Sequence, residues 1–246
     1  MAHVNFVVLT SARTGSTWLM DRLNRQPGVK AYGELFLNHA RLTPAIAGLA
    51  DGKRFVEFHG SPTFTRPPRV FSYLNDLYGP AQIVGFKLMY KQLQTYPEIL
   101  AYLAVHRVRV IHLTRRNLLD VVVSEELAKL TGVSHAVAES SSAIPMVQID
   151  TGTIVSRLTR LKEKPIQVRK LIRMFTYPML EVTYEALLES DDEFERILEY
   201  LNLGDSHREV GSNLAKRGVR SHRESIANYD EVQRRLDSTP FSHMLR

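Results

Sequence analysis

The apolar run Val4–Thr10 passes without a break into Ser-Ala-Arg-Thr-Gly-Ser-Thr-Trp-Leu at positions 11 to 19. A run with no apolar–polar alternation makes a strand buried on both faces, as in a parallel sheet covered by helices. A helical pattern follows at once, from Thr17 to about Arg25, and Pro27-Gly28 stops it. The loop between them has the composition of an anion cradle. The first turn of a helix leaves backbone N–H groups unpaired and its dipole favours negative charge. Gly15 admits close approach, Ser16 and Thr17 add hydroxyl donors, and Arg13 adds a cation able to grip two oxygens. A plain strand-to-helix turn explains the same residues without any ligand.

Three further β-rich runs, Gln82–Tyr90, Val108–Thr114 and Leu180–Tyr184, are separated by helical patterns. Those patterns predict helices over Tyr96–His106 and Leu118–Leu130. A longer stripe from Ile154 to Phe175 is interrupted by Pro165, which predicts a kink or two abutting helices. Ser190-Asp-Asp-Glu193 reads as a capping box opening a helix to about Leu203. Phe55–Tyr78, with Pro62, Pro67 and Pro68, lacks periodicity and reads as an excursion at the edge of the sheet. The order of elements specifies an α/β fold with a mainly parallel central sheet flanked by helices. With no repeat, linker or low-complexity stretch, residues 1–246 are expected to form a single domain.

Net charge of +6 suits an anionic ligand but is too weak to imply nucleic acid. The chain has no cysteine, which excludes disulfides, thiolate chemistry and Cys-based zinc sites. Its nine histidines form no H-x-x-x-H pair, so no metal site is expected. No leader and no spanning segment are expected, and the chain reads as a soluble cytoplasmic protein.

A nucleotide kinase would require G-x-x-x-x-G-K-[ST]. Here Thr10 stands at the first glycine position and Ser16 at the lysine position, while Arg13 precedes the glycine. That counts against ATP with magnesium. A second candidate anion site follows in VIHLTRRNLLDVVVS, 110–124, where a strand end carries Arg116 and the next helix carries Ser124. An Arg and a Ser so placed can meet one phosphate, each charge-assisted contact contributing roughly 1.5–3 kcal/mol. Asn117 with Asp120 fits an ordinary helix cap equally well.

TSARTGSTWL resembles the 5′-phosphosulfate loop of sulfotransferases that use 3′-phosphoadenosine 5′-phosphosulfate (PAPS). In that family a Lys or Arg stands two residues before the glycine, here Arg13. Lys is usual in soluble cytosolic members, and Arg is frequent in carbohydrate and protein-tyrosine sulfotransferases. R-N-x-x-D-x-x-x-S is similar to the family's 3′-phosphate site, which implies roles for Arg116, Asn117, Asp120 and Ser124. VTYEAL at 182–187 resembles a strand-end Tyr-Glu-Asp whose Tyr contacts adenine. Tyr184 is then the candidate, and Ala186 departs from the pattern. KRG at 216–218 resembles the segment that closes on the 3′-phosphate, which implies Lys216 and Arg217. GELF and RESIANYDEV look closest to bacterial carbohydrate-type members.

The resemblance implies a P-loop nucleotide-kinase-like sulfotransferase fold and in-line transfer of a sulfuryl group from PAPS to a hydroxyl acceptor, a carbohydrate or glycolipid. The product would be 3′,5′-adenosine bisphosphate, and no metal would be required. Thr14, Gly15, Ser16, Thr17 and Trp18 would join Arg13 around the donor, with Arg13 on the leaving 5′-phosphate. In Arg-type members a Glu, often after Gly, acts as base, and Gly33-Glu34 matches it, 21 residues beyond Arg13. Lys-type members use a His near the level of Lys87-Leu88, where this chain has none. Lys87 is a candidate contact for the sulfuryl group, unless it is a cation snorkelling from a buried strand. His59, Tyr90 and Tyr96 are candidate walls of an acceptor pocket. The basic segment Arg157–Arg173 holds seven Lys or Arg against Glu163 and could meet an anionic acceptor or a membrane surface. A homodimer is compatible with the resemblance. Two other readings stay open: a nucleotide-dependent small-molecule kinase, and a non-catalytic binder of anionic polymers.

Overall fold

A computed structural model describes residues 4–37, 54–55, 66–79, 83–132, 145–175, 179–203 and 221–245. The chain divides into two compact units. The first comprises residues 1–114 and 168–212, and the second residues 115–167 and 213–246.

The first unit is built on a five-stranded sheet in the order β2-β3-β1-β4-β5, every pair parallel. The strands are β1 (Asn5–Thr10), β2 (Val29–Glu34), β3 (Ile83–Met89), β4 (Arg109–Thr114) and β5 (Met179–Thr183). This establishes the α/β fold with a parallel sheet that the periodicity predicts. β2 is the strand that periodicity misses, because Lys30, Tyr32 and Glu34 break its apolar run. Among the described residues it pairs with β3 alone, at the edge of the sheet, and its Lys30 is exposed.

Order of strands fixes where a ligand would go. β1 lies between β3 and β4, so the chain leaves β1 in one direction and later returns to its other side. Such a switch point opens a crevice beyond the carboxyl ends of the strands. The loop 11–15 leaves β1 at that point and enters α1 (Ser16–Asn24).

Helices α2 (Arg66–Leu77), α3 (Tyr90–Thr95) and α4 (Glu98–Val105) follow. The stretch expected to be aperiodic contains α2, whose Val70, Tyr73 and Leu74 are buried at helical spacing. Pro67 and Pro68 fall in its first turn, where missing N–H groups cost nothing. The predicted helix over Tyr96–His106 proves to be α4, with the short α3 before it. Tyr96 is fully buried against Phe36 and Phe55, and Tyr90 is buried with its hydroxyl on His112. Both are core residues and not pocket walls. His59 lies outside the described residues.

In the second unit, α5 (Leu118–Thr131) is capped by Asn117, whose side chain accepts from the N–H groups of Leu119 and Asp120. Leu119, Val122, Ile154, Leu158, Ile226, Val232 and Leu236 form its core. The helix α6 (Ile154–Met174) continues through Pro165 as one element, so the two abutting helices do not occur. In the first unit, β5 leads into α7 (Tyr184–Glu189), then α8 (Asp192–Tyr200). The box expected at Ser190–Glu193 is absent: Ser190 Oγ takes the Asp192 N–H, and α8 starts at Asp192. A reciprocal box forms instead at Ser221 and Glu224, opening α9 (His222–Ser225), and α10 (Tyr229–Leu236) follows. Among the described residues no helix is long and apolar enough to cross a membrane.

Buried in β4, His112 has no exposure and its Nε2 lies 2.6 Å from the Tyr90 hydroxyl. Burial, with Arg169 adding to it, lowers its pKa to about 4. An unfolded histidine titrates near 6.5, so on acidification the unfolded chain takes the proton first. Stability from this residue is present above pH 6.5 and is lost as pH falls towards 4. The loss is on the order of 3 kcal/mol. Chemical denaturation of wild type and His112→Gln at several pH values checks this: the variant should lose that part of the slope.

Candidate active site

The loop after β1 is held open by its own hydroxyls. Thr10 Oγ1 donates to the Leu113 carbonyl at 2.9 Å, tying the carboxyl ends of β1 and β4 together. Thr14 Oγ1 bonds the Thr10 hydroxyl and the Ser11 carbonyl. Thr14 therefore braces the loop with its side chain. Arg13 has a φ of 64° and Gly15 a φ of 78°, both left-handed. For an arginine that conformation costs about 1–2 kcal/mol, and such residues persist where surroundings enforce them. The loop so formed leads into the α1 amino end with Ser16 and Thr17 in its first turn, both buried.

Gly15 has a second reason to be glycine. A Cβ at that position would lie 2.2 Å from Tyr184 Cδ2. Tyr184 opens α7 directly after β5, and Thr183 caps it by accepting the Ala186 N–H. Its ring lies over Gly15, with Trp18 edge-on at 6.2 Å between centroids. The aromatic ring expected at an adenine is thus seated on the loop itself. Trp18 is buried, with the Arg22 guanidinium 5.1 Å from its ring. Gly15→Ala combines a left-handed penalty with this overlap. Unfolding stability should fall by about 2–4 kcal/mol, read by denaturant titration. A variant as stable as wild type would mean that the Tyr184 ring is not seated there.

The second part of the site comes from a bulge. β2 and β3 pair Tyr32 with Phe86, but the next pair is Glu34 with Lys87, skipping Gly33. One extra residue in a strand re-aims every side chain beyond it. Glu34 thereby stands beside Lys87, and the Lys87 Nζ lies 2.9 Å from Glu34 Oε1. Lys87 is only 4% exposed, so it does not snorkel out, and Glu34 keeps a quarter of its side chain open. The same Nζ reaches Thr17 Oγ1 at 3.4 Å. A continuous polar path therefore runs from the first turn of α1 through Lys87 to Glu34. Gln92 of α3 closes it, its Nε2 donating to Glu34 Oε2 at 3.4 Å. The sequence carries no signal for Gln92, which belongs to no motif. Gly33 alone hints at the bulge.

Of the residues expected from the sequence, the first unit holds Arg13, Thr14, Gly15, Ser16, Thr17, Trp18, Glu34, Lys87 and Tyr184. Contacts connect Thr17, Lys87 and Glu34 in one group, and Gly15, Trp18 and Tyr184 in another. Arg116 and Ser124 belong to the second unit, Arg116 exposed and Ser124 half-buried on α5. There Asp120 is held between Arg115 at 2.9 Å and His222 at 2.7 Å. Although burial opposes it, the His222 and Arg115 contacts together bring the Asp120 pKa below the usual carboxylate value. Asp120 and Asn117 thus act as a pairing carboxylate and a helix cap. Lys216 and Arg217 lie outside the described residues. No protein-family model matches the chain, and no curated protein matches it.

Proposed function

We propose that the chain is a PAPS-dependent sulfotransferase acting on a hydroxyl acceptor, a carbohydrate or glycolipid, in the cytoplasm. The observation that carries this reading is the position of Lys87. Thr17 occupies the place where a kinase phosphate loop has the Ser/Thr that holds Mg²⁺. Next to its hydroxyl stands the Lys87 ammonium, itself paired with the candidate base Glu34. A fixed ammonium beside the anion loop suits a sulfuryl group that needs no metal, whereas a magnesium-dependent kinase loop carries its lysine directly after the glycine, where this chain has Ser16.

In the reaction, the acceptor hydroxyl oxygen attacks sulfur and forms the new O–S bond. The bond from sulfur to the 5′-phosphate oxygen breaks, and its electron pair leaves with the phosphate. Glu34 takes the acceptor proton. Arg13 faces the charge that grows on the leaving phosphate, and Lys87 supports the equatorial oxygens of the transferring group. The 3′-phosphate is assigned by motif to Arg116 and Ser124. A binder of anionic polymers would have no use for a carboxylate beside the loop.

The test is a transfer assay with ³⁵S-labelled PAPS against a panel of mono- and disaccharides and glycolipids. Label in an acceptor, with adenosine bisphosphate released in equal amount, supports the reading. A panel giving no transfer under conditions where ATP and magnesium give phosphorylated product would overturn it.

A further inference from the structure

We infer that Gln92 is a positioning residue for Glu34, and this inference rests on the sulfotransferase reading for its kinetic consequence. Gln92 is 6% exposed and sits in α3, directly after β3. Its amide is used at both ends. Oε1 accepts the Met89 N–H at 2.9 Å, closing the start of α3, and Nε2 donates to Glu34 Oε2 at 3.4 Å. The backbone N–H can only donate, so the carbonyl end must face Met89 and the NH₂ end must face Glu34. The amide cannot flip without losing both contacts.

Glu34 is consequently held on two sides, Oε1 by Lys87 and Oε2 by Gln92. One partner alone would leave the carboxylate free to rotate about the Lys87 ammonium. Two partners from consecutive elements, β3 and α3, fix its plane. A base must meet the acceptor proton at hydrogen-bond distance, and misplacement by about 1 Å can cost 10²-fold in rate. Gln92 touches neither donor nor acceptor in this scheme. It acts through the carboxylate.

Gln92→Glu separates this role from helix capping. A Glu at 92 still accepts the Met89 N–H, so α3 keeps its start, but it offers no donor and turns a second carboxylate towards Glu34. The expected result is a kcat lower by about tenfold or more, with acceptor KM and adenosine bisphosphate affinity within about twofold of wild type. The acid limb of the pH–rate profile should also move to higher pH, because facing carboxylates resist ionising together. Gln92→Leu, which loses the cap as well, should lose stability in addition. A Gln92→Glu enzyme with wild-type kcat and profile would overturn the inference.

A second measurement is independent of turnover. The side-chain NH₂ resonances of Gln92, followed by NMR in wild type and Glu34→Ala, should shift when the carboxylate is removed. Unmoved resonances would overturn the contact even if transfer is observed. A shift in a protein that gives no sulfuryl transfer but yields phosphorylated product with ATP and magnesium would uphold the Gln92–Glu34 contact while refuting the sulfotransferase reading.

Discussion

Glu34→Gln should lower sulfuryl transfer by about 10²–10⁴-fold, the range expected when a positioned base is removed. The substitution is nearly isosteric. Its carbonyl oxygen can still accept from Lys87, whose Nζ lies 2.9 Å from Glu34 Oε1, so the buried ammonium keeps a partner. That distinction matters, because stranding one member of a buried pair is strongly destabilising. Donor binding is expected to stay within about twofold, since the variant changes no group assigned to the phosphates. Loss of transfer with intact adenosine bisphosphate binding assigns the carboxylate at 34 to the transfer step and not to donor binding. Turnover at the wild-type rate would remove Glu34 from that role.

Arg13→Gly should separate stability from activity. Arg13 holds a φ of 64°, a conformation that costs an L-residue about 1–2 kcal/mol and costs glycine almost nothing. Glycine carries its own entropic penalty of roughly 0.5–1 kcal/mol, so the backbone part of the change should be neutral or favourable by up to about 1 kcal/mol, less what the contacts of the Arg13 side chain contribute. Transfer, by contrast, should fall by about 10²–10³-fold, the usual loss when a fixed group facing developing charge is deleted. Denaturant titration and single-turnover transfer read the two quantities. A variant that is clearly less stable would show that the Arg13 side chain serves the fold. A variant with full activity would take the cation away from the leaving phosphate.

The parallel sheet was legible because four of its strands carry β-rich runs, most of them continuously apolar. Val29–Glu34 was not legible, since an edge strand with Lys30, Tyr32 and Glu34 shows no such run. Helix Arg66–Leu77 was hidden by Pro67 and Pro68, read as breakers although both stand in its first turn. The expected box at Ser190 failed for a local reason: Ser190 terminates Tyr184–Glu189, and its hydroxyl meets Asp192 instead of the N–H of Glu193. In the site, spacing picked out Arg13, Gly15 and Thr17 because a loop of consecutive residues keeps its geometry in the sequence. The Lys87–Glu34 pair depends on a bulge at Gly33, and the Gln92 contact on the entry of a six-residue helix. Neither leaves a spacing that could be read in advance. Tyr184 was selected by motif, but its seat on Gly15 follows from two distant segments meeting in space.

In the proposed reaction the loop at residues 11–15 grips the 5′ end of a 3′-phosphorylated adenine nucleotide. Calorimetric titration of the purified protein tests it most directly, first with 3′,5′-adenosine bisphosphate, then 5′-AMP, then ATP with magnesium. The expected result is tight binding of the bisphosphate, clear weakening when its 3′-phosphate is absent, and no preference for ATP with magnesium. Preference for ATP with magnesium, or no heat with any of the three, would contradict it.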